Sequence, residues 1–465
     1  MPITNYYLAP LLLLFCFGCK KNTVEIVDSS LNKRLNSIGQ YEGSSYCTAT
    51  YIEIPNQHID SPAYVITNGH CTAIFYDDNK IDVDIPLNAT IIFNLIQGDL
   101  NKQIKFNTKK IAYSTMKGTD IAIIELNHSN RALQNQGIFP VPLEQSLPAL
   151  GTKISAYGYP LKYTPVVLQQ TTGKLSASST VAEFIWFWNK LYSADFPNIS
   201  SGSSGSPVFT DVSKGLWGII NTTTIDGIGV CELGSPCEFI APNQPTVKKN
   251  VTYIVDVTKL KDCFNAKGSF DIHSDYFPFG KPTDFFVSFP NSVRNFNANT
   301  ALNSSLIFNI DNPQNTSYKI ELFEEYNPEN KSGFIPILAN QTQTKFPTKE
   351  GFYIISVLKN NRFDQMNYLT FKMDFTPPNL NLIELNQTQS AESTVINPVF
   401  VYPELTQFYW KYGAQATCNC EDNKDFEIYN RIPKNIAKAE LPVKVCIKGV
   451  DLAGNTTSPK EFIIK

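Results

Sequence analysis

Histidine is scarce in this chain: His58, His70, His128 and His273 are the only four in 465 residues. Any general base that works near neutral pH must come from this short set. Charge is scarce as well, at 17% of residues, with 39 basic and 42 acidic side chains and a formal net charge of −3. That balance excludes the basic footprint of a nucleic-acid binder and offers no attraction to an acidic membrane surface. Past the N-terminus no apolar run approaches the ~18 residues that a membrane-spanning helix needs. Methionine is rare, with four residues, whereas aromatics reach 12%. Short apolar stretches punctuated by Pro, Gly and Asn point to a chain that is mostly β. At this length two or three domains are expected.

Against these absences one stretch stands out, Gly202-Ser203-Ser204-Gly205-Ser206-Pro207. Flanking glycines leave a serine open to a substrate, and backbone N–H groups beside it can face a carbonyl oxygen that is becoming an anion. A Gly/Ser-rich hexapeptide is also what a low-complexity turn looks like. Two upstream segments weigh against that bland reading. Ala63-Tyr-Val-Ile-Thr-Asn-Gly-His70-Cys71 is an apolar strand ending on a histidine. Gly118-Thr-Asp120-Ile-Ala-Ile-Ile-Glu-Leu126 places an aspartate at the mouth of an apolar strand. A carboxylate buried there needs a partner, and an imidazole N–H is the natural one. That pairing fixes the tautomer that lets the other ring nitrogen take a serine proton.

The order His70, Asp120, Ser204 differs from that of subtilisins and of α/β-hydrolases. With these three motifs the chain resembles the trypsin-like (chymotrypsin-fold) serine peptidases, over about residues 31–265. The resemblance implies a His70/Asp120/Ser204 triad, an oxyanion hole from the N–H groups of Gly202 and Ser204, and a Cys47–Cys71 disulfide. It implies that Asn221, Thr222 and Thr223 bind extended substrate as an added strand. Asn198 stands where trypsins keep the aspartate of the specificity pocket, so a preference for Lys or Arg is not expected. Ser203 replaces an aspartate that, in zymogen-type members, pairs with a newly cut N-terminal ammonium. No Ile-Val-Gly-Gly start is visible. Both departures imply an oxyanion loop ordered without proteolytic activation. Ser206 resembles the bacterial glutamyl-endopeptidase branch, yet no basic group accompanies Thr223.

The N-terminus reads as a targeting segment. The apolar run Leu8–Phe17 ends at Gly18-Cys19-Lys20 and resembles a bacterial lipoprotein signal over residues 1–19, with Cys19 acylated. It departs from that pattern in having no Lys or Arg before the apolar run and Cys16 in place of the usual leucine. Secretion, or lipid anchoring at the outer membrane or cell surface, is the expected localisation. Export implies that cysteines pair. The eight beyond Cys19 fit four bonds: Cys47–Cys71, Cys231–Cys237, Cys446 with Cys418 or Cys420, and Cys263 with the one remaining. A zinc site at Cys418, Cys420 and Cys446 is disfavoured by the lack of a nearby histidine. Asp77, Asp78 and Asn79, with Asp82 and Asp84, read as a solvated acidic loop rather than a calcium site. Phe184-Ile-Trp-Phe-Trp188 reads as barrel core rather than subsite lining.

The expected architecture is all-β: residues 20–30 as a tether, 31–265 as a double β-barrel, 266–284 as a loose linker, then two β-sandwiches at 285–375 and 376–465. The last sandwich carries Asp451-Leu-Ala-Gly-Asn455, which resembles bacterial immunoglobulin-like modules; spacing or adhesion is their expected role. The functional expectation is a serine endopeptidase acting on protein or peptide substrates, with no cofactor or metal, no nucleic-acid partner, and membrane contact only through the lipid. The competing readings are a catalytically idle surface binding protein and an esterase using the same triad.

Overall fold

The computed structural model describes residues 34–465 except 73–80, 96–99, 213–214, 225–230, 232, 240–244, 283–284, 292–293, 311–312, 328–329, 341, 362–365 and 402–404. The expected signal, Cys19 and the tether, and Asp77, Asp78 and Asn79, lie outside the described residues. The fold is all-β, as the sequence indicates. Seven strands make the first barrel: β1 (Ile38–Glu42), β2 (Tyr46–Tyr51), β3 (Pro62–Thr67), β4 (Ile81–Pro86), β5 (Thr90–Phe93), β6 (Ile104–Thr115) and β7 (Ile121–Ser129). The sheet runs β4-β6-β5-β1-β2-β3-β7, and a further β6–β7 pairing closes six of these strands on themselves. The second barrel uses β8 (Lys153–Gly158), β9 (Gln169–Glu183), β10 (Trp186–Ala194), β11 (Pro207–Thr210), β12 (Gly218–Thr223), β13 (Cys237–Phe239), β14 (Pro245–Val247) and β15 (Thr252–Asp256). Its order is β10-β15-β12-β11-β8-β9-β13-β14, closed by β9–β10, with β13 and β14 added outside the ring.

Strand alternation explains why the motif strands are apolar at nearly every position. In β3, Ala63 and Val65 point into the first barrel, whereas Tyr64 and Ile66 join the core between the barrels. In β7, Ala122 and Ile124 face inward, and Ile121 and Ile123 face the second barrel. Period-two side chains therefore bury both faces of each strand. Ile154, Val208, Trp217 and Ile254 fill the second barrel. Of the aromatic run, Phe184, Ile185, Trp186 and Trp188 belong to the inter-barrel core, but Phe187 points elsewhere.

The segment expected as a loose linker is docked. Phe270, Phe277 and Phe279 surround Tyr113 of β6, whose hydroxyl donates to the Gly280 carbonyl at 2.7 Å. Beyond it, a three-stranded sheet (Phe285–Ser288, Ser305–Ile310, Gln343–Lys345) and a five-stranded sheet that includes Thr316–Leu322, Gly351–Lys359 and Asn367–Met373 share one core. A second pair of sheets, built around Ser393–Pro398 and Val443–Val450, shares another. These are two β-sandwiches. In the second, Gly454 takes φ +86°, and Asn455 closes the turn on Asp451 through its backbone N–H at 2.9 Å and its side-chain amide at 3.0 Å. The same amide reaches the Asp374 carbonyl at 2.7 Å and so links the two sandwiches.

Three disulfides form: Cys47–Cys71, Cys231–Cys237 and Cys420–Cys446. The fourth expected bond is absent. Cys263 is an unpaired thiol buried beside Leu260 in the inter-barrel core, and Cys418 is unpaired with its sulfur 3.7 Å from that of Cys446. The reason is spatial: Cys420 already occupies Cys446, and Cys263 sits inside the peptidase core. Cys47–Cys71 cross-links residues 24 apart, ties β2 to the turn bearing His70, and restricts the unfolded chain. Replacing both cysteines by serine is expected to lower unfolding free energy by about 3 kcal/mol in a urea titration.

Candidate active site

His70 lies in a single turn of 3₁₀ helix, Gly69–Cys71, at the end of β3. Gly69 is required there, because a Cβ would strike the Thr115 carbonyl and come within 3.1 Å of Asp120 Oδ1. Asp120 is fully buried. One carboxylate oxygen, Oδ1, accepts the His70 backbone N–H at 3.0 Å, and the other, Oδ2, lies 2.7 Å from His70 Nδ1. Asn68 adds a clamp from its side-chain amide to the Asp120 carbonyl at 3.0 Å. Asp120 thereby holds the histidine by both backbone and ring. Burial alone would lower the pKa of His70; the negative charge and hydrogen bond of Asp120, with a smaller contribution from the Glu183 charge, outweigh it and leave the pKa above its ordinary value of 6.5.

The glycine-flanked loop that carries Ser204 comes from the other barrel. Gly202 and Gly205 adopt φ +89° and +81°. A Cβ at Gly205 would collide with the Thr48 carbonyl and the Thr67 hydroxyl. Ser203 is buried; its N–H donates to the Ser200 carbonyl at 3.0 Å, and its hydroxyl accepts the Ser200 N–H at 3.4 Å. The Ser206 N–H donates to the Ser203 carbonyl at 3.0 Å. Among the described residues no acceptor meets the backbone N–H of Gly202 or of Ser204. Both are therefore available to an incoming oxygen. The Ser204 hydroxyl donates to the Asn221 carbonyl at 3.5 Å.

Thr48, which sequence reasoning missed, joins the barrels. Its N–H donates to the Ser204 carbonyl at 2.8 Å and its hydroxyl to the Gly202 carbonyl at 2.9 Å, while the Thr48 hydroxyl oxygen accepts the Tyr159 N–H at 3.1 Å. Its own carbonyl accepts the Thr67 hydroxyl at 2.8 Å. Position gives the only sequence signal: it follows Cys47. Glu183, at the end of β9, was also missed. It is buried, and its carboxylate accepts the Gly234 N–H at 2.7 Å and a hydrogen bond from the Thr222 side chain. Burial raises its pKa, and these partners only partly counter that.

The expected substrate strand lies at the end of β12. β11 pairs with β12 only at Gly218 and Ile219, so among the described residues Asn221–Thr223 have β15, paired again at Thr223, on one side and no partner strand on the other. The Asn221 amide is buried, and neither of its polar atoms has a partner among the described residues. Thr223 donates to the Val251 carbonyl at 3.1 Å. Asn198 is exposed with φ +66°, and the Lys162 ammonium donates to its side-chain oxygen at 3.4 Å. Cys47, His70 and Cys71 offer donors close together, but the disulfide consumes both thiols, so this set does not fit a metal ion.

Two six-stranded barrels with His70 and Asp120 in one and Ser204 in the other define a chymotrypsin-like fold. Residues 52–219 match the family model described as trypsin-like peptidase domain. No curated protein matches the sequence. Among solved structures, an inactive mutant of Rv3671c from M. tuberculosis H37Rv is 15% identical, covering 49% of this chain and 84% of that one with a TM-score of 0.31. The thermostable serine protease AL20 from an extremophilic microorganism is 18% identical, covering 48% and 92% with a TM-score of 0.32. The protease Anisep from Arthrobacter nicotinovorans is 15% identical, covering 48% and 91%, also at 0.32.

An NMR titration of the His70 imidazole is expected to give a midpoint above 6.5. The protonated ring stabilises the fold, fully below pH 6.5 and progressively less as pH rises through the raised midpoint. Asp120→Asn leaves burial dominant and is expected to drop the midpoint below 6.5; Glu183→Gln should lower it by less.

Proposed function

We propose that the protein is a serine endopeptidase in which Ser204, His70 and Asp120 act as a catalytic triad. The observation that carries this reading is the doubly held Asp120–His70 pair in one barrel together with, in the other, a glycine-flanked serine with two unengaged N–H groups beside it. In the first step the Ser204 oxygen bonds to the substrate carbonyl carbon while its proton passes to His70 Nε2. For this the hydroxyl leaves the Asn221 carbonyl and turns to the imidazole; such bonds are often long without substrate. The oxyanion would take the N–H groups of Gly202 and Ser204, each worth about 3 kcal/mol in the transition state. The tetrahedral intermediate then collapses: the peptide C–N bond breaks and His70 gives its proton to the leaving amine. Water repeats the cycle on the acyl-enzyme. Asp120 stabilises the imidazolium in both halves. The open edge of Asn221–Thr223 supports binding of an extended peptide.

Export belongs to the same reading, supported by three disulfides. So does acylation of Cys19, on the sequence pattern alone.

A fluorophosphonate probe is expected to label the purified protein once, on Ser204. Ser204→Ala should abolish labelling and cut peptide hydrolysis by about 10⁶-fold. A wild-type protein that leaves the probe untouched, beside a reactive control protease, favours the binding-protein reading. Ester turnover without peptide turnover favours the esterase. For the anchor, Cys19→Ser is expected to move the protein from the detergent phase to the aqueous phase on Triton X-114 partitioning.

A further inference from the structure

The turn that carries Asp120, between β6 and β7, is held from behind. The Gly118 carbonyl accepts the Asn189 N–H at 2.9 Å, at the point where the end of β10 runs beside it. The Asn189 side-chain amide in turn donates to the Tyr368 hydroxyl at 3.1 Å. Tyr368 does not belong to either barrel. It lies on the strand Asn367–Met373 of the first sandwich. Its neighbour Asn367 accepts a hydrogen bond from the Lys117 ammonium, one residue before Gly118. A Cβ at Gly118 would run into the Tyr368 hydroxyl, so the two surfaces meet at contact distance.

An apolar seat surrounds these bonds. Phe187, the member of the aromatic run that leaves the barrel core, meets Tyr368 edge-on with ring centres 6.0 Å apart. It also meets Phe323 at 5.5 Å and Tyr326 at 5.2 Å. Together with Ala182 and the Cys231–Cys237 bond, these side chains and Ile354 form one buried cluster across the two domains. Cross-domain burial of this kind is not what a flexibly tethered spacer needs.

We propose that the first sandwich is a working part of the hydrolytic site, with Tyr368 as a positioning residue that fixes the Asp120 turn through Asn189. The inference rests on the reading of Asp120 as the partner of a catalytic His70. Asp120 sets the orientation of the imidazole through two bonds, and small displacements at such a site cost rate. The bond of Tyr368 to Asn189 and its ring contact with Phe187 lie behind the Asp120 turn. Loss of Tyr368 therefore acts on kcat and on the imidazole, not on substrate binding.

The test compares full-length wild type with Tyr368→Phe, Asn189→Ala and the double variant, on a peptide substrate across pH. Tyr368→Phe keeps the ring on Phe187 and removes only the hydroxyl. The expected result is a fall in kcat of about three- to tenfold with KM unchanged. The acid limb of kcat/KM should move to lower pH as Asp120 grips His70 less firmly, with the unfolding temperature unaltered. The double variant should be no slower than the slower single one, because both break the same connection. Wild-type kcat and pH profile in Tyr368→Phe, or additive losses in the double variant, overturn the inference while leaving the triad reading standing. A wild-type protein inert to both substrate and fluorophosphonate removes the reading and the inference together. Should Tyr368→Phe fail to fold, Asn189→Ala read in the same way still decides.

Discussion

A carboxylate with no exposure to water must be satisfied by the protein, and at Asp120 that demand organises the site. Both oxygens are taken by one residue, His70, through its backbone N–H and its ring. Bringing a histidine backbone that close requires the absent side chain of Gly69. Keeping it there requires Asn68 on the Asp120 carbonyl and the disulfide at Cys71. The imidazole thus has little freedom to rotate. Burial works against a charged ring and the carboxylate for it; the carboxylate wins, so the histidine is poised to accept a proton.

The second constraint is that Ser204 comes from another barrel. An apolar interface alone positions two barrels only loosely, because hydrophobic contact has no direction. Thr48 supplies the direction. In one residue it spends its N–H, its hydroxyl and its carbonyl on Ser204, Gly202 and Thr67. The bonds to Gly202 and Thr67 are buried, where an unmade partner costs about 1–3 kcal/mol. The backbone of the serine loop is therefore registered against the strand that leads to the histidine turn.

How much of this can be read from the sequence follows the range of each interaction. His70, Asp120 and Ser204 stand out because each sits in a short segment, and the three segments in that order resemble the motifs of one family. Composition indicated a mostly β chain, and the double barrel was legible only through the resemblance those motifs carry; β3 and β7, apolar on both faces, are buried on both sides in the fold. Thr48 and Glu183 were not legible. A threonine in a strand and a glutamate at a strand end are ordinary, and only the partners they meet more than fifty residues away in sequence, Gly202 at one and Gly234 at the other, give them a role. The cysteines failed in like manner. Parity suggested four bonds, but pairing is decided by position, and Cys263 is enclosed in a core that Cys418 does not reach. The connector after residue 265 reads as polar and loose in one dimension, yet three of its phenylalanines find Tyr113 in three.

Ser203 brings these strands together. An aspartate at that position would need a cation inside the protein; a serine needs only a turn. The structure supplies the turn, with Ser203 bonded on both its N–H and its hydroxyl to Ser200, and the Ser206 N–H closing the loop from the other end. Two glycines at positive φ let the chain reverse twice within four residues, and Thr48 anchors the carbonyls on either side of Ser203. Neutral hydrogen bonds of this kind are individually weaker than a buried ion pair, but they carry no desolvated charge to compensate. A loop built this way is held by neutral hydrogen bonds that form with the fold itself.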